Sequence, residues 1–164
     1  MEACMVPAAD VSVAVLDASF IVGFCAKEPN KFPRIKAKLD FYAAGGWLLF
    51  APGVVSGEVM YALCKKRTDE GLPEDEYRNA VAVFAELMKE VHPPPDGEAS
   101  LVRQVGAIQD GYGCSRMSDA FYLALAERLQ TQATVEVVTT DAGMRKHAAT
   151  RTPSVNVELL PVTP

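Results

Sequence analysis

The sequence predicts an α/β protein, a three-layer α/β/α sandwich around a central, mainly parallel sheet of four or five strands. Short apolar runs rich in β-branched residues recur along the 164 residues, beginning with residues 11–16. Such continuous runs are typical of strands buried on both faces of a parallel sheet. Longer segments with apolar residues at helical spacing separate them, and this alternation favours helices on both faces of the sheet.

The individual elements follow from the apolar pattern and from the positions of glycine and proline. We predict strands at 11–16, 47–51, 135–139 and 155–160, and helices at 19–27, 31–44, 56–66, 73–89, 97–109, 119–130 and 141–148. Prolines at 93–95 limit the segment near 90–92 to a short edge strand. Ser118 is expected to cap the helix that follows it.

Composition narrows the class of protein. Apolar residues make up 49% of the chain, which suits a single domain over residues 1–164 with a substantial core. The net charge of −5 argues against a non-specific nucleic-acid binder, which is usually basic. We expect a cytoplasmic protein because we find neither a long apolar span nor a signal peptide. Four scattered cysteines are expected to be reduced: Cys4, Cys25, Cys64 and Cys114.

Four acidic residues stand at positions that suit a ligand site. Asp17 ends the first apolar run and Asp141 follows the run at 135–140, while Asp119 opens a helix and Glu58 lies inside another. Ligand sites of parallel α/β folds form at the carboxyl ends of strands. Acids gathered there repel one another unless a cation holds them, and Mg²⁺ or Mn²⁺ suits oxygen ligands. Each acid alone has an ordinary explanation as a helix cap or helix N-terminal charge, but together they indicate metal-assisted chemistry on phosphate.

Four segments that carry these acids resemble the acidic motifs of the PIN domain family, the metal-dependent nucleases that include VapC-type toxins. The segments are residues 15–21, 52–63, 118–127 and 138–141, and the resemblance extends from about residue 13 to 158.

This resemblance implies an endoribonuclease, the toxin of a type II toxin–antitoxin pair, that hydrolyses RNA with a metal-activated water and leaves a 3′-hydroxyl and a 5′-phosphate. It implies that Asp17, Asp119 and Asp141 hold one or two Mg²⁺ or Mn²⁺ ions and that Glu58 completes the site. Met144 stands where many family members carry a further acid, which leaves a second cation open.

The resemblance also implies partners for the chain. These are a homodimer and an antitoxin whose C-terminal segment enters the acidic site. The helices at 31–44 and 73–89 are the candidates for the dimer face, because their apolar positions exceed what one face of a sheet covers.

Other polar residues near the four acids have two interpretations each. Ser19 and Thr139 lie two residues from an acid and would orient it by hydrogen bonding, although Ser19 equally suits a helix cap. Arg116 could contact a substrate phosphate, but we expect it to be a solvent-exposed arginine of a loop. One of three basic groups, at residues 27–38, 65–67 or 145–151, is expected to contact phosphate, and the sequence does not distinguish among them.

Two alternatives to the nuclease remain. One is a weakly active or non-catalytic PIN-like RNA-binding module in an RNA-processing assembly. The other is a Mg²⁺ enzyme such as a phosphatase, although the Asp-x-Asp pattern of one major phosphatase class is missing because Ser19 stands two residues after Asp17.

Overall fold

The computed structural model describes residues 10–162, and its centre is a sheet of five parallel strands. The strands are β1 Ser12–Leu16, β2 Leu48–Phe50, β3 Val91–His92, β4 Thr134–Thr139 and β5 Asn156–Leu159. Their order is β3-β2-β1-β4-β5, and each neighbouring pair is parallel. The predicted α/β class is therefore confirmed, with all five expected strands present.

Helices cover both faces of the sheet. They are α1 Ala18–Cys25, α2 Phe32–Ala44, α3 Val54–Asp69, α4 Glu74–Lys89, α5 Val102–Gln109, α6 Met117–Leu129 and α7 Ala142–Arg151, with a 3₁₀ turn at Glu98–Leu101. Helices α1 to α4 pack against one another, as do α5 to α7. The strand order, with the right-handed crossovers that parallel strands almost always adopt, places the first group on one face of the sheet and the second group on the other.

The strand order creates a switch point between β1 and β4. From β1 the chain crosses over one face to β2, whereas from β4 it crosses over the opposite face to β5. The loops that follow these two neighbouring strands therefore diverge, and a crevice forms between them at the carboxyl ends of the strands. Ligands of open α/β sheets bind in this kind of crevice.

The core lies around β1 and α6. Residues 13–16 are at most 2% exposed, because β1 has a neighbouring strand on each side and helices on both faces. Residues 122–126 of α6 are fully buried. The sheet centre and this helix therefore hold the chain segments that end at the crevice in fixed positions.

Several local predictions were wrong. β2 is shorter than expected and its first residue, Leu48, is 42% exposed, because β2 lies next to the short edge strand. Helix α6 begins at Met117, so Ser118 lies inside the helix and Arg116 occupies the N-cap position.

The described part of the chain bears on two further expectations. Cys25, Cys64 and Cys114 are free thiols, while Cys4 lies outside the described residues. Among residues 10–162, no helix combines the length and the apolar character that a membrane crossing requires.

Candidate active site

Asp17 and Asp141 reach the switch point because they follow β1 and β4. The parallel ladder pairs Leu16 with Val138, and the Asp17 amide extends it by donating to the Val138 carbonyl at 3.1 Å. Asp141 then starts α7, where its Oδ1 accepts a hydrogen bond from the Gly143 amide at 2.8 Å. The register of two neighbouring strands thus brings two acids that are distant in sequence to the same edge of the sheet.

Asp17 is a buried carboxylate held by two hydroxyl groups. Its Oδ2 accepts hydrogen bonds from Ser19 Oγ at 2.7 Å and from Thr139 Oγ1 at 2.6 Å. Only 5% of Asp17 is exposed, and this burial raises the pKa of its carboxyl group. The two hydroxyl groups oppose the rise, whereas the negative charge of Asp119 adds to it.

Ser19 and Thr139 also connect Asp17 to the backbone before α7. Thr139 Oγ1 accepts from the Asp141 amide at 2.9 Å, and Ser19 Oγ accepts from the Thr140 amide at 3.1 Å. Helix α1 begins at Ala18, so Ser19 lies within it, and of the two interpretations of Ser19 the helix cap was wrong. These contacts are of the kind that orients a metal-binding carboxylate.

Glu58 approaches the same region from α3. Its Oε1 accepts a hydrogen bond from the Tyr122 hydroxyl at 2.8 Å, and the hydroxyl group of Ser118 is near enough to act on its pKa. Burial raises the pKa of Glu58; the two hydroxyl groups oppose the rise, and the charge of Asp17 adds to it. Tyr122 is fully buried, as expected of a core residue, but its hydroxyl group also orients one of the four acids.

Asp119 and Asp141 share one guanidinium group. Arg116 Nη1 lies 3.0 Å from Asp119 Oδ2 and 2.7 Å from Asp141 Oδ2. Burial raises the pKa of Asp119 although Arg116 opposes it. Burial also acts to raise the pKa of Asp141, but the bonds from Arg116 and Gly143 outweigh it and lower that pKa. Arg116 is an exposed residue of a turn, as predicted, but its guanidinium group pairs with two of the four acids, which the sequence did not reveal.

His147 is a second residue that sequence reasoning missed. It is fully buried in α7, with Nδ1 3.8 Å from Asp119 Oδ2 and its ring stacked on Tyr112 at 4.4 Å between centroids. Neither ring nitrogen has a hydrogen-bond partner within the part of the chain that the structure describes. Burial lowers its pKa, as do the charges of Arg116 and Arg151, so the imidazole is neutral at pH 7. No spacing in the sequence indicated it, because its neighbour Asp119 belongs to a different helix, α6.

The four carboxylates interact as one electrostatic group. Asp17 and Asp119 repel each other, as do Asp17 and Glu58, Glu58 and Asp119, and Asp119 and Asp141. Three of these acids have raised pKa values, and the mutual repulsion of the four oxygen donors fits a hard divalent cation, which would neutralise them. Within residues 10–162, however, no three His, Cys, Asp or Glu side chains converge closely enough to hold an ion.

The strand order, the crossovers and the acids at the switch point define the PIN fold, which the resemblance predicted. A solved structure with this fold is the crystal structure of VapBC2 from Rickettsia felis bound to a DNA fragment from their promoter. The match has a TM-score of 0.58 and 15% sequence identity, and it covers 90% of this chain and 98% of the matched chain. At that identity the likeness establishes the fold alone. No protein-family model and no curated protein matches the sequence.

Proposed function

We propose that this protein is a metal-dependent endoribonuclease that hydrolyses RNA phosphodiester bonds, and that it is the toxin of a type II toxin–antitoxin pair. One observation carries the proposal: Asp17, Glu58, Asp119 and Asp141 interact electrostatically at the switch point of a PIN fold. Three of them have raised pKa values, which means that ionising these carboxyl groups is unfavourable in the folded protein. A bound cation would favour their charged forms.

In this proposal each acid has a role. Asp17, Asp119 and Asp141 would hold one or two Mg²⁺ or Mn²⁺ ions, and Glu58 would complete the site directly or through water. When bound, the cation supplies a water of lowered pKa and offsets the charge that develops on the phosphate. One of the four carboxylates accepts the proton of the attacking water.

The side chains around the acids set their geometry. Ser19 and Thr139 hold the Asp17 carboxylate in one orientation, and Tyr122 does the same for Glu58. Met144, at the position of the further acid of many PIN domains, is fully buried and apolar. Its burial in the core favours one strongly held cation over two.

One basic group is favoured as the contact for RNA phosphates. Lys31 lies close enough to Asp141 for its charge to contribute to the lowered pKa of that carboxyl group. This member of the group at residues 27–38 therefore lies near the acids, and an RNA phosphate that it contacts would be close to the site.

An antitoxin, a homodimer and a cytoplasmic location complete the proposal. The matched structure is named as VapBC2, and the antitoxin is inferred for this chain by analogy. The faces of α2 and α4 remain the proposed dimer surface. Phe41 of α2 is 54% exposed, and Val83 and Leu87 of α4 line a shallow apolar depression with Phe24.

A weakly active or non-catalytic RNA-binding module is the second candidate. The position of Arg116 favours it, because a guanidinium group already neutralises part of the charge of Asp119 and Asp141. An arginine fixed there permanently would leave the fold intact and the metal site unusable.

Cleavage of a mixed RNA pool in Mn²⁺, in Mg²⁺ and in EDTA distinguishes these candidates. We expect discrete, metal-dependent products from the parent and from Asp75→Asn, the same change at an exposed acid of α4. Asp119→Asn should lower the rate by at least about a hundredfold, because it removes a charged ligand. Equal cleavage by parent and Asp119→Asn would reveal a contaminating ribonuclease. An absence of cleavage together with metal-independent RNA binding would favour the non-catalytic module.

A further inference from the structure

Arg116 places a positive charge between two of the four acids. A single nitrogen, Nη1, contacts Asp119 Oδ2 at 3.0 Å and Asp141 Oδ2 at 2.7 Å. These oxygens are hard anionic donors of the kind a divalent cation takes. An oxygen directed at the guanidinium group cannot direct the same lone pair at a metal ion, so Arg116 and a cation would compete.

The backbone that presents Arg116 is specifically supported. Arg116 has a φ of 58°, a left-handed conformation that is uncommon for residues other than glycine. The segment before it is held by the buried Gln109, whose Nε2 donates to the carbonyls of Gly113 and Ser115, both at 3.0 Å. An unfavourable conformation persists where the surroundings enforce it, and it often marks a functional position.

Gly143 provides the space that Arg116 occupies. A Cβ atom at position 143 would overlap the guanidinium group of Arg116. Gly143 also donates its backbone amide to Asp141 Oδ1 at 2.8 Å, a bond that alanine would retain. The first turn of α7 therefore accepts the arginine because its second residue has no side chain.

We propose that Arg116 is an internal counter-ion that occupies the cation position between Asp119 and Asp141 and must leave it before a divalent cation binds. The inference rests on the proposed function, since the cation concerned is the one proposed there. Arg116 compensates the two acids while the site lacks metal, and it weakens cation binding because two charge-assisted hydrogen bonds must break first. Arg116 thus stabilises the metal-free protein and lowers its affinity for a divalent cation.

Mn²⁺ titration of the full chain, followed by the electron paramagnetic resonance of free Mn²⁺, tests the proposal. We expect Arg116→Met to bind Mn²⁺ about ten- to a hundredfold more tightly than the parent, because competition and repulsion are both removed. Arg116→Lys should fall between them, since an ammonium group lacks the planar fork. Arg145→Met, which removes an exposed arginine from α7, should match the parent.

Thermal unfolding in EDTA tests whether Arg116 stabilises the protein in the absence of metal. Arg116→Met should melt at a lower temperature than the parent in EDTA, because two acids lose their counter-ion. Saturating Mn²⁺ should raise its melting temperature more than that of the parent. A structural role alone would lower the melting temperature and leave the Mn²⁺ affinity unchanged.

Gly143→Ala tests the same idea without removing any charge. The added methyl group displaces the guanidinium group, while the better helix propensity of alanine supports α7. We expect Mn²⁺ binding tighter than in the parent, and parent-like binding for Gly106→Ala, the same change in open space on α5. This variant keeps the proposal testable if Arg116→Met fails to fold.

The outcomes separate this inference from the proposed function. If the parent binds Mn²⁺ and neither Arg116→Met nor Gly143→Ala binds it more tightly, the counter-ion role is overturned and the nuclease proposal stands. If parent and variants all fail to bind Mn²⁺, both proposals are overturned. Tighter binding in Arg116→Met and in Gly143→Ala, with unchanged binding in the two controls, supports the counter-ion role.

Discussion

Thr139→Val is the most informative test of how the fold holds the buried acid Asp17. Thr139 is fully buried, and its hydroxyl group donates to Asp17 Oδ2 at 2.6 Å and accepts from the Asp141 amide at 2.9 Å. Valine has nearly the same shape, so the change removes these hydrogen bonds and leaves the packing largely intact. The hydroxyl group connects the ends of β1 and β4, so its loss acts at the centre of the site.

The magnitude follows from the two bonds. A hydrogen bond to a charged acceptor contributes about 1.5–3 kcal/mol and a neutral one about 1 kcal/mol. We therefore expect Thr139→Val to lower the free energy of unfolding by about 2.5–4 kcal/mol at pH 7.5. Thr134→Val is the matched control, because Thr134 is exposed at the start of the same strand, and its effect should stay within about 0.5 kcal/mol.

The loss should also depend on pH. The folded pKa of Asp17 is already raised above 3.8, so its contribution to stability falls as pH rises from that value through the folded pKa. Removing a donor raises the folded pKa further and makes this fall larger. The stability difference between parent and Thr139→Val should therefore widen from pH 4.5 to pH 7.5.

Urea unfolding in EDTA, followed by the fluorescence of the single tryptophan, Trp47, measures these differences. Trp47 packs beside Tyr42 at the core, with 5.0 Å between ring centroids, so it reports unfolding of the sheet. A loss in Thr139→Val no larger than that in Thr134→Val would refute the reasoning. A loss that is the same at both pH values would show that Asp17 is not involved.

Two further predictions concern other buried acids. In EDTA, the melting temperature of Asp119→Asn relative to that of the parent should increase as pH rises above 3.8. The folded pKa of Asp119 is raised, so the parent loses stability over that range, whereas asparagine does not titrate. A difference in melting temperature that does not change between pH 4.5 and pH 7.5 would contradict this. Lys38→Met should destabilise the protein by about 1–3 kcal/mol, since Lys38 lies 2.8 Å from the buried Glu136. Lys36→Met breaks an exposed pair and should change stability by less than about 0.5 kcal/mol, so equal effects in urea unfolding would argue against a special role for Lys38.

The positions of Asp17 and Asp141 were predictable from sequence because each follows an apolar strand. The pattern identified β1 and β4 as buried strands, and the carboxyl ends of parallel strands meet at one edge of a sheet. Ser19 was identified by its spacing, and it donates to the acid two residues before it. Thr139 was identified by its spacing from Asp141, but its hydroxyl group donates to Asp17 on the neighbouring strand. The inferences on Asp17, Asp141 and Ser19 needed only local periodicity, whereas the contact of Thr139 with Asp17 required the pairing of β1 with β4.

Glu136 illustrates a charge that the sequence could not explain. It interrupts an apolar strand and is 8% exposed, and its partners Tyr42 and Lys38 both come from α2. The segments lie far apart in the chain, and nothing in either pattern specifies the other. Only the packing of α2 over β4 makes the buried carboxylate acceptable.

The sequence by itself determined the order of strands and helices, the parallel sheet and the acids at the strand ends, because periodicity and strand-end positions are properties of short segments. The tertiary structure decided the role of Arg116. Its position next to a turn matched that of an ordinary exposed residue, yet it contacts Asp141, which is 25 residues away along the chain. That contact depends on a left-handed backbone, on the loop held by Gln109 and on the missing side chain of Gly143. Three separate segments must come together to create it, so only the folded chain specifies how the charge of the site is balanced.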